Sequence, residues 1–288
     1  MVAMKVRFGV TIGAEVGVDE LAMLGPAVED VGFDTLWVAE VLLTPVLDPI
    51  VALSFLAART NTLRLGAHLI VPGRAPVHLA RQLAHLDQVS GGRLLLVAVL
   101  GLPEEADRGA QGIPRAELGE DLEEVVGLMR RLWAGETVTH HSARHHLDGV
   151  RLDARPVQQP LEIWLAGALP SALRRTGRIG DGWMPGRVTA AEAAVKRTVI
   201  EAAAAAAGRT MDPEHYGANI FYARTPVAPA VAARFGENLP SDRDGIRAAI
   251  QAWTDVGFSK FLLRPLAPPL DWRAELDLLA REVGDLMS

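Results

Sequence analysis

Short runs of consecutive apolar residues alternate along this chain with longer stretches in which apolar positions recur every three or four residues. The runs read as strands covered on both faces, and the longer stretches as amphipathic helices. VRFGVTI (6–12) is the first strand and DELAMLGPAVEDVG (19–32) the first helix, with Asp19 as its expected N-cap. TLWVAE (35–40) follows, then a helix over 48–60 in which Pro49 suits a first helical position. Strands at 63–71 and 93–100 flank a helix at 76–92 that stops at a Gly pair. Residues 115–135 form a fourth helix, acidic at its start and arginine-rich at its end, as the helix dipole prefers.

The second half repeats the pattern with one interruption, 136–160, which reads as a hairpin or loop insertion. Strands are expected at 161–167, 181–185, 216–223 and 260–265, each followed by a helix, at 170–180, 189–207, 241–256 and 271–287. Eight strand–helix pairs in series predict a closed (β/α)8 TIM barrel occupying 1–288 as one domain, with insertions after strand 4 and near 136–160. A doubly wound open sheet is the alternative. It would carry a Gly-rich loop after its first strand, and TIGAEVG does not match G-x-G-x-x-G.

Composition narrows the functions. A formal charge of −6 argues against general nucleic-acid binding, and the absence of cysteine excludes disulfides, thiolate metal sites and thiol nucleophiles. No secretory h-region stands near Met1 and no apolar run is long enough to span a bilayer, so no membrane association and a cytoplasmic location are expected.

Barrel enzymes carry their sites at the C-terminal ends of the strands. Six residues fall there: Glu40, His68, Gly101, Gly167, Trp183 and Arg264. Glu40 ends an apolar run, where an unpartnered carboxylate is costly; it either takes part in chemistry or forms an ion pair with an arginine such as Arg74. His68 either contacts a ligand or is a satisfied core histidine. HHSARHH (140–146) places His141 and His145 at the i, i+4 spacing of zinc ligands, but no carboxylate is interleaved, so a solvated hairpin is expected and no metal.

GFDTLWVAE, the long stretch from DPIVALSFLAARTNTLRLG to VSGGRL, LDGVRLDARPVQQPLEIWLAG and GRIGDGWMP stand in an order that resembles the luciferase-like superfamily of flavin- and coenzyme F420-dependent oxidoreductases. The similarity covers roughly 5–190 and is greatest to the F420-dependent branch. It implies the barrel, coenzyme F420 (alternatively FMN) across the C-terminal rim, a small-molecule substrate, and a homodimer. It also implies a non-prolyl cis peptide and bulge at His68–Leu69 behind the cofactor ring. Carried over residue by residue, it makes Glu40 and His68 the catalytic candidates. Ala67, His68, Leu69, Val99, Gly101 and Trp183 would lie around the ring, and Gly167, Ala168, Ser171 and Arg264 would hold phosphate.

The chain departs from the family at telling positions. Glu40-Val41 stands where many F420-dependent relatives have Asp-His, Val99 and Leu100 replace small residues, and Leu102 aligns with an acid. The expected activity is hydride transfer between F420 and a small organic substrate. A two-component monooxygenase using reduced FMN is one alternative, and a catalytically idle barrel, favoured by Val41, Val99 and Leu102, is the other.

Overall fold

A computed structural model describes residues 5–13, 16–235 and 239–287. Its elements are β1 (Arg7–Ile12), α1 (Val18–Asp30), β2 (Thr35–Ala39), α2 (Pro49–Ala57), β3 (Arg64–Ile70), α3 (Pro76–Val89), β4 (Leu94–Val99), α4 (Glu105–Gln111) and α5 (Leu118–Trp133). Then come β5 (Val138–His141), β6 (His146–Val150), β7 (Ile163–Leu165), α6 (Pro170–Ile179), β8 (Gly182–Trp183), α7 (Ala190–Ala206), β9 (Gly217–Tyr222), α8 (Pro229–Phe235), α9 (Arg243–Asp255), β10 (Lys260–Pro265) and α10 (Trp272–Val283). The expected strand–helix pairs are all present. The helices α4 and α8, seven residues each, lie outside the expected helices, because two turns are too short to establish a helical period. Asp19 sits in the first turn of α1 and not at its N-cap, which is Gly17, whereas Asp48 caps α2 by accepting from the Val51 N–H at 3.0 Å.

Eight strands form one parallel sheet in the order β8-β7-β4-β3-β2-β1-β10-β9, and a bridge between Trp183 and Tyr216 joins its two ends. A central β1 paired on both sides and joined edges make a barrel and rule out the open sheet. The insertion at 136–160 contains the antiparallel hairpin β5–β6.

Glycines make room inside the barrel. A Cβ at Gly9, Gly66, Gly182 or Gly217 would collide with Thr35, Trp37, Trp164 or Met184, respectively, so these side chains fill the interior opposite bare backbone. Trp37, Val97, Met184 and Leu262 form the inner cluster, while the opposite strand faces join the helices in the larger outer core. At the N-terminal end of the barrel, Arg7 pairs with Asp34 at 2.6 Å, and Asp181 accepts from the Ile163 N–H at 2.9 Å and from Arg130 and Arg209. A cavity of about 110 Å³ lies at that end among Trp37, Trp164, Met184 and Lys260, opposite the expected site.

Candidate active site

Because side chains two apart on a strand share a face, the interior residues named above fix which side chains reach the C-terminal mouth. Gly9 leads to Thr11, Gly66 to His68, Val97 to Val99, Gly217 to Asn219 and Leu262 to Arg264. Thr11 Oγ1, His68 Nδ1 and Asn219 Oδ1 are closed to solvent and have no hydrogen-bond partner among the described residues. Orphaned buried polar atoms are rare because each costs about 1–3 kcal/mol, which makes these three candidates for contact with a ligand. The His68 ring lies 5.0 Å from that of Trp37. Burial, with the charge of Arg264 as the second cause, pushes the His68 imidazole down to about 3. It is neutral at pH 7, suited to hydrogen-bonding a ligand through Nδ1 and poorly suited to storing a proton.

Glu40 has two partners. Its Oε2 accepts from the Ile70 N–H at 2.7 Å and its Oε1 from Arg74 at 2.5 Å, while Arg74 Nε donates to the Ile70 carbonyl at 2.7 Å. The Glu40 N–H in turn donates to the His68 carbonyl at 2.9 Å. The ion pair considered from the sequence is therefore present, and it ties the ends of β2 and β3 together beside His68. Burial pushes the Glu40 carboxyl up from its ordinary value; the Arg74 charge and the Ile70 N–H oppose the rise without cancelling it.

At the end of β7, Gly167 has a φ of 103°, a conformation open to glycine, and leads into α6, whose N-terminus has Pro170 in its first turn and no side-chain cap. Gly167 and Ala168 are half-buried and Ser171 is exposed beside that uncapped end, which brings the three residues of the expected phosphate site to one helix N-terminus. Three expectations need correction. Trp183 does not line the mouth: it is fully buried in the outer core and donates from Nε1 to the Gly167 carbonyl at 2.9 Å. The reason is parity, since Gly182 takes the inward position of the two-residue β8. Ala67 and Leu69 likewise direct their side chains into the outer core. Strand β3 keeps an unbroken register with β4 through His68, Leu69 and Ile70, and the cis peptide among the described residues is Gln159–Pro160, so His68–Leu69 carries neither bulge nor cis bond.

Helices α4 and α8 approach one another near the ends of β4 and β9. Glu104, the N-cap residue of α4, approaches Arg234 of α8 at 3.9 Å, and the Phe221 and Phe235 rings meet at a tilt with centroids 4.7 Å apart, the Arg264 guanidinium lying 5.9 Å from the Phe221 ring. Leu100 packs into the outer core and does not plug the barrel, while Val99 packs with the inner cluster. Gly101, with φ 87°, lies under Gln111, whose amide nitrogen would meet a Cβ placed there. Both amide atoms of Gln111 are buried without partners among the described residues. Gln111→Leu should thus preserve the fold and raise stability by about 1 kcal/mol, read as a higher urea midpoint at unchanged m-value. A lower midpoint would show that the amide has found a partner. Thr11, Asn219 and Gln111 were missed from the sequence. The first two carried a signal, a polar residue inside an otherwise apolar strand; Gln111 carried none.

Comparison with known proteins places this geometry in context. The profile of the luciferase-like monooxygenase family matches residues 1–256. An F420-dependent glucose-6-phosphate dehydrogenase of Nakamurella multipartita is 31% identical over 193 residues, covering 62% of this chain and 56% of the relative. The chain spans about half the length of the curated relatives it matches. Among solved structures, an F420-dependent secondary alcohol dehydrogenase in complex with an F420-acetone adduct superposes with a TM-score of 0.83 at 17% identity, covering 99% of this chain and 100% of that one. The monooxygenase RslO1 of Streptomyces bottropensis gives 0.80 at 22%, covering 97% and 99%. Both share the barrel.

Proposed function

The chain belongs to the luciferase-like monooxygenase family, and from that membership we propose that it is an oxidoreductase that uses coenzyme F420 to pass a hydride to or from a small organic substrate. The observation that supports this reading is the set of unpartnered polar atoms of Thr11, His68 and Asn219 at the C-terminal mouth, together with the uncapped α6 N-terminus. A planar heterocycle with hydrogen-bonding edges and a phosphate tail needs such a pair of features. The residues present fit it.

In this reading Gly167 and Ala168 N–H groups and the Ser171 hydroxyl would hold the phosphate, with Arg264 adding charge. His68 would hydrogen-bond the ring edge through Nδ1, and Val99 and Gly101 would contact its face. When bound, the deazaflavin supplies the hydride chemistry at its C5. The protein's own share is placement and exclusion of water: Trp37, Val97, Met184 and Leu262 form a dry floor, and the Glu40–Arg74 pair holds β3 so that His68 keeps its aim. Glu40, with its raised carboxyl, is the ionisable group of the rim for proton exchange with substrate. FMN with a monooxygenase reaction is the other reading, because the same atoms suit a flavin. We further propose that 1–288 works as one domain, as a homodimer, in the cytoplasm.

Calorimetric titration of the apo-protein with F420 and, separately, FMN in both redox states tests the assignment. F420 should bind at least about tenfold more tightly than FMN, a gap of about 1.4 kcal/mol. Preference for FMN would transfer the protein to the monooxygenases. No saturable binding of either would leave an idle barrel.

A further inference from the structure

The hairpin β5–β6 stands where the sequence predicts a hairpin or loop insertion, but its histidines gain carboxylate neighbours from outside it. Four of the chain's eight histidines fall within residues 140–146, and the carboxylates missing from that stretch arrive from helix α5. Asp121 and Glu124, at i and i+3, share the face of α5 turned to the hairpin. His145 Nε2 lies 3.0 Å from Asp121 Oδ1, and His140 Nε2 lies 2.5 Å from Glu124 Oε1. One donor atom each from Asp121, Glu124 and His145 falls within 4.8 Å of the other two.

We infer that Asp121, Glu124, His140 and His145 form a site for a divalent cation of the zinc class, clamping the hairpin to α5. Two imidazoles and two carboxylates are a donor set such ions accept, and a tetrahedral ion with bonds of about 2.0–2.2 Å needs donors about 3.4 Å apart. The donor atoms of Asp121, Glu124 and His145 already lie within 4.8 Å of one another, and His140 reaches the group through its contact with Glu124.

Charge and support agree with the assignment. The Asp121 side chain is 1% exposed and the nearest fixed cation, Arg144, is 4.0 Å from its Oδ1 and engaged by Glu117. Two carboxylates and one divalent ion sum to zero, which relieves the burial of negative charge. Asp121 Oδ2 accepts from the Gly73 N–H at 2.9 Å, an outer contact of the kind that orients a ligating carboxylate. Gly73 precedes Arg74, the partner of Glu40, so the clamp reaches the rim of the barrel mouth. The exposed pair His141 and His146, stacked at 5.6 Å, provides an internal control.

The test uses the full-length, chelator-treated protein. Titration with Zn²⁺ should show one saturable site of micromolar affinity or tighter and a rise in Tm. Co²⁺ should give the intense visible absorption of a tetrahedral ion. Glu124→Gln and His145→Gln, each checked for folding by circular dichroism, should weaken binding by at least about tenfold. If His145→Gln does not fold, His140→Gln serves in its place. The double variant His141→Ala/His146→Ala should bind normally. Zn²⁺ affinity weaker than about 100 µM, a pale octahedral Co²⁺ spectrum, or loss of binding in the His141/His146 variant alone would overturn the site.

Discussion

Glu40→Ala is expected to destabilise the protein by about 3 kcal/mol, because it strands a half-buried guanidinium and a backbone donor that now share one carboxylate. The Glu40 side chain is 7% exposed and its partner Arg74 27%, so solvent replaces little of what is lost. For a chain of this size the Tm should fall by roughly 6–12 °C. Arg74→Ala should cost a similar amount, since it leaves the carboxylate uncompensated. The double variant should cost less than the sum, with a coupling energy of about 2 kcal/mol, because each single change has already broken the same interaction. Thermal or urea unfolding of the four proteins checks this. Stability held at the wild-type level with turnover reduced about 10²-fold would instead assign Glu40 to proton transfer.

His68→Leu should separate stability from binding in the opposite direction. The leucine removes a buried ring nitrogen that has no partner among the described residues, so the apo-protein at pH 7.5 should be as stable as wild type or more stable, by about 1 kcal/mol. F420 affinity should drop by about tenfold or more, since a ligand hydrogen bond in a water-poor site goes with the ring. The pH dependence supplies an independent reading. His68 titrates near 3 in the folded chain against 6.5 as its ordinary value. Between those values the unfolded chain holds the proton and the folded chain does not, so wild-type stability falls as pH drops below 6.5 and continues to fall toward 3. The limiting slope is about 1.4 kcal/mol per pH unit. His68→Leu should be flatter across that window by up to this slope. Identical pH profiles in the two proteins would mean that His68 is solvated and titrates normally.

Continuous apolar runs alternating with amphipathic stretches specify parallel strands covered on both sides by helices, and eight such pairs leave the closed barrel as the economical solution. Element order, strand positions and the C-terminal rim carrying Glu40, His68, Gly101, Gly167 and Arg264 were therefore legible from local pattern. The direction of each side chain was legible only where a strand is long enough to show its parity. In β8, two residues long, nothing local distinguishes Gly182 from Trp183, and their facing follows from Trp164 filling the space beside the glycine.

Partnership between distant residues needed the folded chain. Glu40 and Arg74 stand 34 positions apart and meet because β2 and β3 are neighbours in the sheet. Asp121 and His145, 24 apart, meet because the hairpin folds back on α5. Such pairings follow from long-range packing, in which many apolar contacts together place a polar pair that no local propensity encodes. Chain order thus settles the scaffold and which polar residues stand at the C-terminal ends of its strands. Which polar atoms find partners, and which stay open for a ligand, is settled by three-dimensional packing, because hydrogen-bond satisfaction depends on distance and burial and not on spacing along the chain.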